Sequence, residues 1–225
     1  MSTPQSFKDA QRSQQSFLAP LEKRVLVWMA ERLPAWINPD HLTGLGFLAM
    51  LGVGLSYWYA SQSRLGLMLA SVWLVVNWFG DSLDGTVARV RNQLRPRYGF
   101  YVDHICDAFG TCFMLGGLAL SGYMSPPVAA ALLITYLMLN IEVYLATYTL
   151  GAFHMSFWKL SPTELRLLLI AGNSALMFRP MTKIFGPPLL VYDVGGVIGA
   201  ACIFATLVVT AIRHTRQLYR EETKW

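Results

Sequence analysis

Charged side chains are scarce in this chain. Asp, Glu, Lys and Arg together make up 14% of its 225 residues, against 54% hydrophobic residues. About a quarter of an ordinary soluble domain is charged, so a water-facing surface of normal composition is excluded and the apolar excess has to face lipid. Cysteine is also scarce. Cys106, Cys112 and Cys202 lack the paired spacing of a zinc site or a disulfide framework, and they read as small buried residues. There is no internal repeat, no low-complexity segment, and no basic patch with interleaved aromatics outside the apolar runs. The net charge of +5 therefore belongs to a membrane surface, and nucleic acid is excluded as a partner.

What the sequence does have is long apolar runs. A span needs about 20 mainly apolar residues to cross about 30 Å of hydrocarbon. Six stretches meet that length, at about 42–60, 66–87, 100–122, 126–150, 163–180 and 189–211. They leave no room for a separate soluble domain. Residues 1–16 are polar and contain no apolar run of the signal-peptide kind. From Pro20 to Leu33, Leu21, Val25, Trp28 and Met29 recur at helical spacing among charged residues, which predicts an interfacial amphipathic helix. A solvated helix packed on the bundle satisfies the same pattern. The expected fold class is an all-α membrane protein, six transmembrane helices preceded by that helix. Its organisation is a 1–40 juxtamembrane segment, a 41–213 six-helix domain and a 214–225 tail.

Basic residues set the orientation. With the N-terminus in the cytoplasm, fifteen Lys and Arg fall on the inner side: Lys8, Arg12, Lys23, Arg24, Arg32, Arg89, Arg91, Arg95, Arg97, Lys159, Arg166, Arg213, Arg216, Arg220 and Lys224. Only Arg64, Arg179 and Lys183 fall outside. That asymmetry puts both termini in the cytoplasm.

Thirteen acidic residues serve the whole chain, and four of them cluster where apolar runs should dominate. Asp81 and Asp84 close the second run; Asp103 and Asp107 open the third. Residues three or four apart share a helix face, so each pair projects its carboxylates together. Four uncompensated carboxylates at a membrane edge repel one another and are costly to desolvate. Divalent cations relieve both problems, and an all-oxygen ligand set suits Mg²⁺ or Mn²⁺ better than zinc. Taken singly, each Asp could equally be a solvated helix end paired with Arg89, Arg91, Arg95 or Arg97. The intervening residues weigh against that reading. Gly85 and Ala88 leave the Asp81/Asp84 face open to a ligand or a neighbouring helix. Arg89, one turn on, can fork to a phosphate, and Gly99 permits a tight start to the third helix.

The pattern Asp81-x-x-Asp84-Gly85-x-x-Ala88-Arg89, nine residues, Gly99-x-x-x-Asp103-x-x-x-Asp107 resembles the signature of the CDP-alcohol phosphotransferase family. All eight defining positions are filled. Pro39-Asp40-His41-Leu42-Thr43 is similar to the family's Pro-Asn-x-x-Thr segment, with Asp40 replacing Asn; a plain helix start accounts for it equally well. The resemblance implies that the hydroxyl of an alcohol acceptor attacks the β-phosphorus of a CDP-linked donor and expels CMP. It implies that Asp81, Asp84, Asp103 and Asp107 hold two divalent ions, with Asp107 also the general base. Gly85, Ala88, Arg89, Gly99, Asp40 and Thr43 would bind the donor. It further implies a homodimer, and in a bacterium the inner membrane.

Two branches of the family fit. The compact format is similar to enzymes that transfer a phosphatidyl group from CDP-diacylglycerol to a small polar alcohol, which is the favoured reading. His104 after Asp103, Glu142-Val143-Tyr144 and Ser161-Pro162-Thr163-Glu164 resemble the branch that moves choline or ethanolamine phosphate onto diacylglycerol. Glu142, an intramembrane carboxylate, is a candidate for the acceptor site, as are His104 and Arg95. His104 lies about 100° round the helix from Asp103, so a structural hydrogen bond is an equal expectation. Arg97 and Lys159 could recruit a phosphorylated acceptor or simply form a basic rim. His41, His154 and His214 read as surface or interfacial residues. Gly116-Gly117 and Gly195–Gly199 are candidate helix contacts, within or between subunits. A cation transporter or channel would place carboxylates near mid-membrane and continue polar groups to the far side; these cluster at one edge.

Overall fold

The computed structural model describes residues 19–150, 162–182 and 188–223. Lys159 and His154, two of the residues weighed above, lie outside them. The described chain is almost wholly helical: α1 (Ala19–Arg32), α2 (Pro39–Ala60), α3 (Leu65–Val90), α4 (Pro96–Leu120), α5 (Pro126–Leu150), α6 (Pro162–Phe178) and α7 (Val191–Glu222). A two-residue antiparallel ribbon, β1 (Met181–Thr182) on β2 (Leu189–Leu190), pairs Met181 with Leu190 and Thr182 with Leu189 between α6 and α7. Four helices, α2, α3, α5 and α7, are long and apolar enough to cross a membrane. In α4 the apolar density is diluted by Arg97, Asp103 and Asp107, and α6 has only 17 residues.

Local sequence explains the helix limits. Asn38 caps α2 and Pro39 follows in the first turn, where its missing N–H costs nothing. The Asn38 carboxamide accepts from the His41 backbone N–H at 2.9 Å, and the Asn38 N–H donates to His41 Nδ1 at 3.4 Å. His41, exposed as expected, is thus half of a capping box. The α3–α4 turn is closed by Asn92 at φ +55°, a left-handed conformation that Asn tolerates well. Arg91 fastens this turn to the α1–α2 connection, donating to the carbonyls of Leu33 at 2.8 Å and Ile37 at 2.5 Å. Helix α4 starts at Pro96, so Gly99 sits within its first turn and opens onto free space instead of making the turn itself.

Helices α2, α3 and α4 form the tightest part of the bundle. A Cβ on Gly80 of α3 would lie 2.6 Å from the Gly46 nitrogen of α2, and one on Gly117 of α4 would lie 2.1 Å from the Gly54 carbonyl of α2. Absent side chains let these backbones touch, which replaces the hydrophobic driving force that lipid removes. Gly117 is therefore a contact within the subunit, whereas Gly116 beside it faces open space. Gly196 and Gly199 of α7 meet Leu132 of α5, and Gly195 meets nothing. Two apolar clusters complete the interior. Leu26 and Ala30 of α1 pack with Leu42, Leu83 and Val87 at the end where the aspartates lie. Val53, Tyr57, Leu67, Leu74, Leu115, Leu118, Leu176 and Tyr192 fill the other half.

Polar bonds inside this second half join four helices. Asn173 of α6 accepts from Tyr57 of α2 at 3.0 Å and from Tyr192 of α7 at 2.6 Å, and donates to Ser71 of α3 at 3.1 Å. Its side chain is fully buried. Asn173→Ala removes the acceptor of the buried Tyr57 hydroxyl and one of the two acceptors of Tyr192, which also donates to the Leu169 carbonyl at 3.1 Å. Interhelical hydrogen bonds in membranes are worth about 0.6–2 kcal/mol each, so a loss of about 2 kcal/mol is expected. Thermal unfolding in detergent measures it; an unchanged midpoint would show that the hydroxyls find other partners.

Candidate active site

The aspartates at the end of α3 and the start of α4 share one cleft. Its walls are Thr43, Gly46, Phe47 and Met50 of α2, Asn77, Asp81 and Asp84 of α3, and Asp103, Cys106 and Asp107 of α4. After the turn at Asn92 both α3 and α4 pack on α2, Gly80 against Gly46 and Gly117 against Gly54, so α2 backs the cleft between them. The free volume is about 20 Å³, enough for one water or a small ion.

Each carboxylate of α3 has its own protein partner. Thr43 donates to Asp84 Oδ2 at 2.7 Å, and the Gly85 N–H donates to Asp84 Oδ1. Arg166 of α6 donates from Nη2 to Asp81 Oδ2 and from Nε to Asn77 Oδ1 at 2.8 Å. Its side chain is 13% exposed. Its Nη1 is buried and has no hydrogen-bond partner among the described residues. The sequence places Arg166 among the basic residues of the inner rim; the structure turns it inward onto the first aspartate of the motif. Nothing in its spacing marks it, because its partners lie 85 and 89 residues away.

The remaining site candidates distribute as follows. Gly85 presents open space, with only Arg89 Nη1 near, at 3.9 Å from where a Cβ would be. Arg89 lies back along α3, donating to Thr86 Oγ1 at 3.2 Å. Ala88 is buried. Asp40 pairs with Arg95, which also lies 4.4 Å over the Tyr98 ring. That pair borders a second, more open cavity of about 380 Å³, lined also by Asn38, Pro39, Gln93 and Leu94. His104 Nδ1 donates to the Phe100 carbonyl at 2.7 Å, and the ring packs on Phe100 at 4.2 Å and against Tyr144 of α5 at 5.3 Å. Glu142 is not on the cleft wall. Its Oε1 lies 2.5 Å from Nδ1 of His214 on α7, in a half-buried pair that closes α5 on α7. His214, read from sequence as a surface residue, is instead this carboxylate's partner.

The donor chemistry of the cleft suits a hard divalent cation: several carboxylates, a hydroxyl and a carboxamide, with oxygen the dominant ligand atom. Among the described residues, no three carboxylate, imidazole or thiol groups converge closely enough to hold an ion as they stand. Binding one would therefore draw these side chains together.

Four apolar helices of spanning length around a carboxylate cleft mark an integral membrane protein. Residues 36–212 match the profile of CDP-alcohol phosphatidyltransferases, and the chain belongs to that family. Among curated relatives, archaetidylinositol phosphate synthase of Pyrococcus horikoshii is 33% identical over 86 residues, 38% of this chain and 43% of that protein. Cholinephosphotransferase 1 of Xenopus laevis is 27% identical over 180 residues, 74% of this chain and 41% of that one. The chain thus spans about two-fifths of the length of the curated relatives it matches. Among solved structures, phosphatidylinositol phosphate synthase of Mycobacterium tuberculosis with CDP-DAG bound superposes with a TM-score of 0.55 at 18% identity, over 87% of this chain and 92% of that one. The likeness extends to the fold of the whole bundle.

Proposed function

We propose that this protein transfers a phosphatidyl group from CDP-diacylglycerol to a small polar alcohol and releases CMP. The carrying observation is that all four motif aspartates, from two helices, line a single cleft in a chain of this family. In this reading the acceptor oxygen forms a bond to the donor's β-phosphorus as the bond to the CMP oxygen breaks. Asp107 takes the hydroxyl proton, and the departing CMP carries the electron pair. A divalent ion, Mg²⁺ or Mn²⁺, would supply charge neutralisation at the transferred phosphoryl group, held by Asp81, Asp84, Asp103 and Asp107, with two ions sharing the four carboxylates. Thr43 fixes Asp84, and Arg166 fixes Asp81. The open face at Gly85, with Arg89 and Ala88 beside it, accommodates the nucleotide, and Gly99 leaves the start of α4 clear. The cavity at Asp40 and Arg95 lies between the start of α2 and the α3–α4 turn.

The membrane arrangement belongs to the same proposal. Helices α4 and α6 join the four apolar spans to make six, and α1 lies in the interface with exposed Leu21, Val25 and Trp28 toward lipid. Both ends and the cleft face the cytoplasm, following the basic residues, and two copies form a homodimer. The sequence divides at 1–40, 41–213 and 214–225 as juxtamembrane segment, catalytic domain and tail.

The donor decides between the two branches of the family. The aminoalcohol branch has its own support in the 74% coverage by the match to a cholinephosphotransferase and in the His104–Phe100–Tyr144 cluster beside Asp103. The deciding experiment is CMP release by the purified protein in lipid with Mg²⁺. CDP-diacylglycerol is offered with glycerol phosphate, inositol phosphate or serine, and CDP-choline or CDP-ethanolamine with diacylglycerol. Release with CDP-diacylglycerol and one polar alcohol is expected. Release only with an aminoalcohol donor moves the protein to the other branch, and no release with any pair overturns both.

A further inference from the structure

Helix α6 is held to α3 by apolar contacts around the buried Leu176 and by polar bonds. Four of them run along its length: Thr163 through Glu22 to Trp78, Arg166 to Asn77 and Asp81, Asn173 to Ser71, and Met177, whose carbonyl accepts from Arg64 at 2.9 Å. Its Leu165, Leu167 and Leu168 are exposed, so in a bilayer they meet lipid rather than a neighbouring helix. Leu169, Ile170 and Leu176 pack into the apolar cluster in the far half of α6, so at its first turns the polar bonds fix its place.

The first of those bonds is made by a residue of neither helix. Glu22 Oε1, on α1, accepts from Trp78 Nε1 of α3 at 2.9 Å and from Thr163 Oγ1 of α6 at 2.6 Å. Each donor stands one helical turn from a group in the acidic cleft. Trp78 is three residues before Asp81, and Thr163 is three residues before Arg166. Residues three apart on a helix stack on one face, so the Glu22 bridge and the Arg166–Asp81 bond are consecutive rungs of one ladder. Helix α1 is in turn seated on α3 by Leu26 and Ala30, packed with Leu83 and Val87. The carboxylate therefore reaches α6 from a fixed base.

We propose that Glu22 is a positioning residue for the cleft: by bridging Trp78 and Thr163 it holds the first turn of α6 in register with α3 and so keeps Arg166 on Asp81. This rests on the phosphatidyltransferase reading for its effect on turnover, but not for its effect on α6. One carboxylate oxygen accepting two hydrogen bonds makes the bridge, and Gln keeps such an oxygen. Glu22→Gln is expected to retain activity within about threefold of wild type, because a neutral acceptor preserves both bonds. Glu22→Leu keeps the bulk and removes the acceptor. Its kcat for CMP release is expected to fall at least about tenfold, with the KM for the donor little changed, since the group displaced positions a carboxylate of the ion-holding set.

Hydrogen–deuterium exchange over residues 162–170 reads the bridge without turnover. Amides there should exchange about tenfold faster in Glu22→Leu and at the wild-type rate in Glu22→Gln. Thr163→Val added to Glu22→Leu should change neither readout further, because both remove the same bond. Unchanged exchange in Glu22→Leu overturns the proposal, as does Glu22→Gln behaving like Glu22→Leu or an additive double variant. Faster exchange with unchanged kcat also overturns it, because α6 would then move without consequence for the cleft. Wild-type protein silent with every donor would sink the catalytic reading instead, while the exchange result still decides whether Glu22 holds α6.

Discussion

Asp107→Asn is expected to reduce CMP release by at least about a thousandfold while leaving the protein folded. General-base catalysis by a placed side chain contributes about 10²–10⁴-fold, and this residue would lose its part in cation binding as well. The substitution removes the charge and basicity of the carboxylate but keeps its size and one oxygen, so packing along α4 is preserved. It also lowers the repulsion among the four carboxylates that share the cleft, which relieves the folded state of an electrostatic cost. The two effects have opposite signs, and that makes the test sharp. Turnover measured alongside the thermal midpoint should show lost activity with equal or greater stability. Retained turnover would remove Asp107 from the chemistry. A lower midpoint together with lost turnover would make its role structural.

Gly117→Val is expected to be the most damaging single change to the fold outside the cleft. The added Cβ would stand 2.1 Å from the Gly54 carbonyl, far inside van der Waals contact and against backbone, which cannot rotate away. Gly54 is equally crowded, with its own Cβ position 2.4 Å from the Phe113 carbonyl. Helices α2 and α4 would have to separate along their shared face. Overpacking costs about 1–3 kcal/mol where side chains can give way and more where they cannot, so a loss of about 3 kcal/mol or more is expected. Gly116→Val is the internal control. It lies one residue away on the same helix, and nothing stands within 4 Å of its Cβ position. Thermal unfolding of the pair should show a large drop for the first and almost none for the second. Equal effects would mean that helix propensity, not the α2–α4 contact, sets the cost.

The acidic cleft was legible in the sequence because helical periodicity does the placing. Asp81 with Asp84, and Asp103 with Asp107, each share a face, and a short turn brings the faces together; no distant partner is needed to see it. Arg166, Glu22 and His214 were not legible as interior groups. Each finds its partner 56 or more residues away, and charge alone assigns such residues to a rim. Glu142 shows the same limit from the other side. Its place within an apolar helix marked it as a candidate for the acceptor site, yet the packing of α5 on α7 joins it to His214 and leaves it off the cleft wall. Helix ends were read closely where a proline fixes them, as at Pro39-Asp40, although the capping Asn38 was not singled out. The end of α7 was missed by eleven residues, Ala211 against Glu222, because hydropathy falls where the helix passes the apolar layer while no Gly or Pro stops it.

That uninterrupted α7 has a mechanical consequence. Its 32 residues rise about 48 Å, well beyond a hydrocarbon layer of about 30 Å. His214, joined to Glu142, lies eight residues before the helix ends. The stretch beyond it is a rigid lever about 12 Å long, with the imidazole–carboxylate bond at its fulcrum. Sideways force on Arg216 or Arg220 is passed to α5 rather than dissipated in a loose tail. From α5 it reaches Tyr144 and, through that ring, His104 on the helix that carries Asp103 and Asp107.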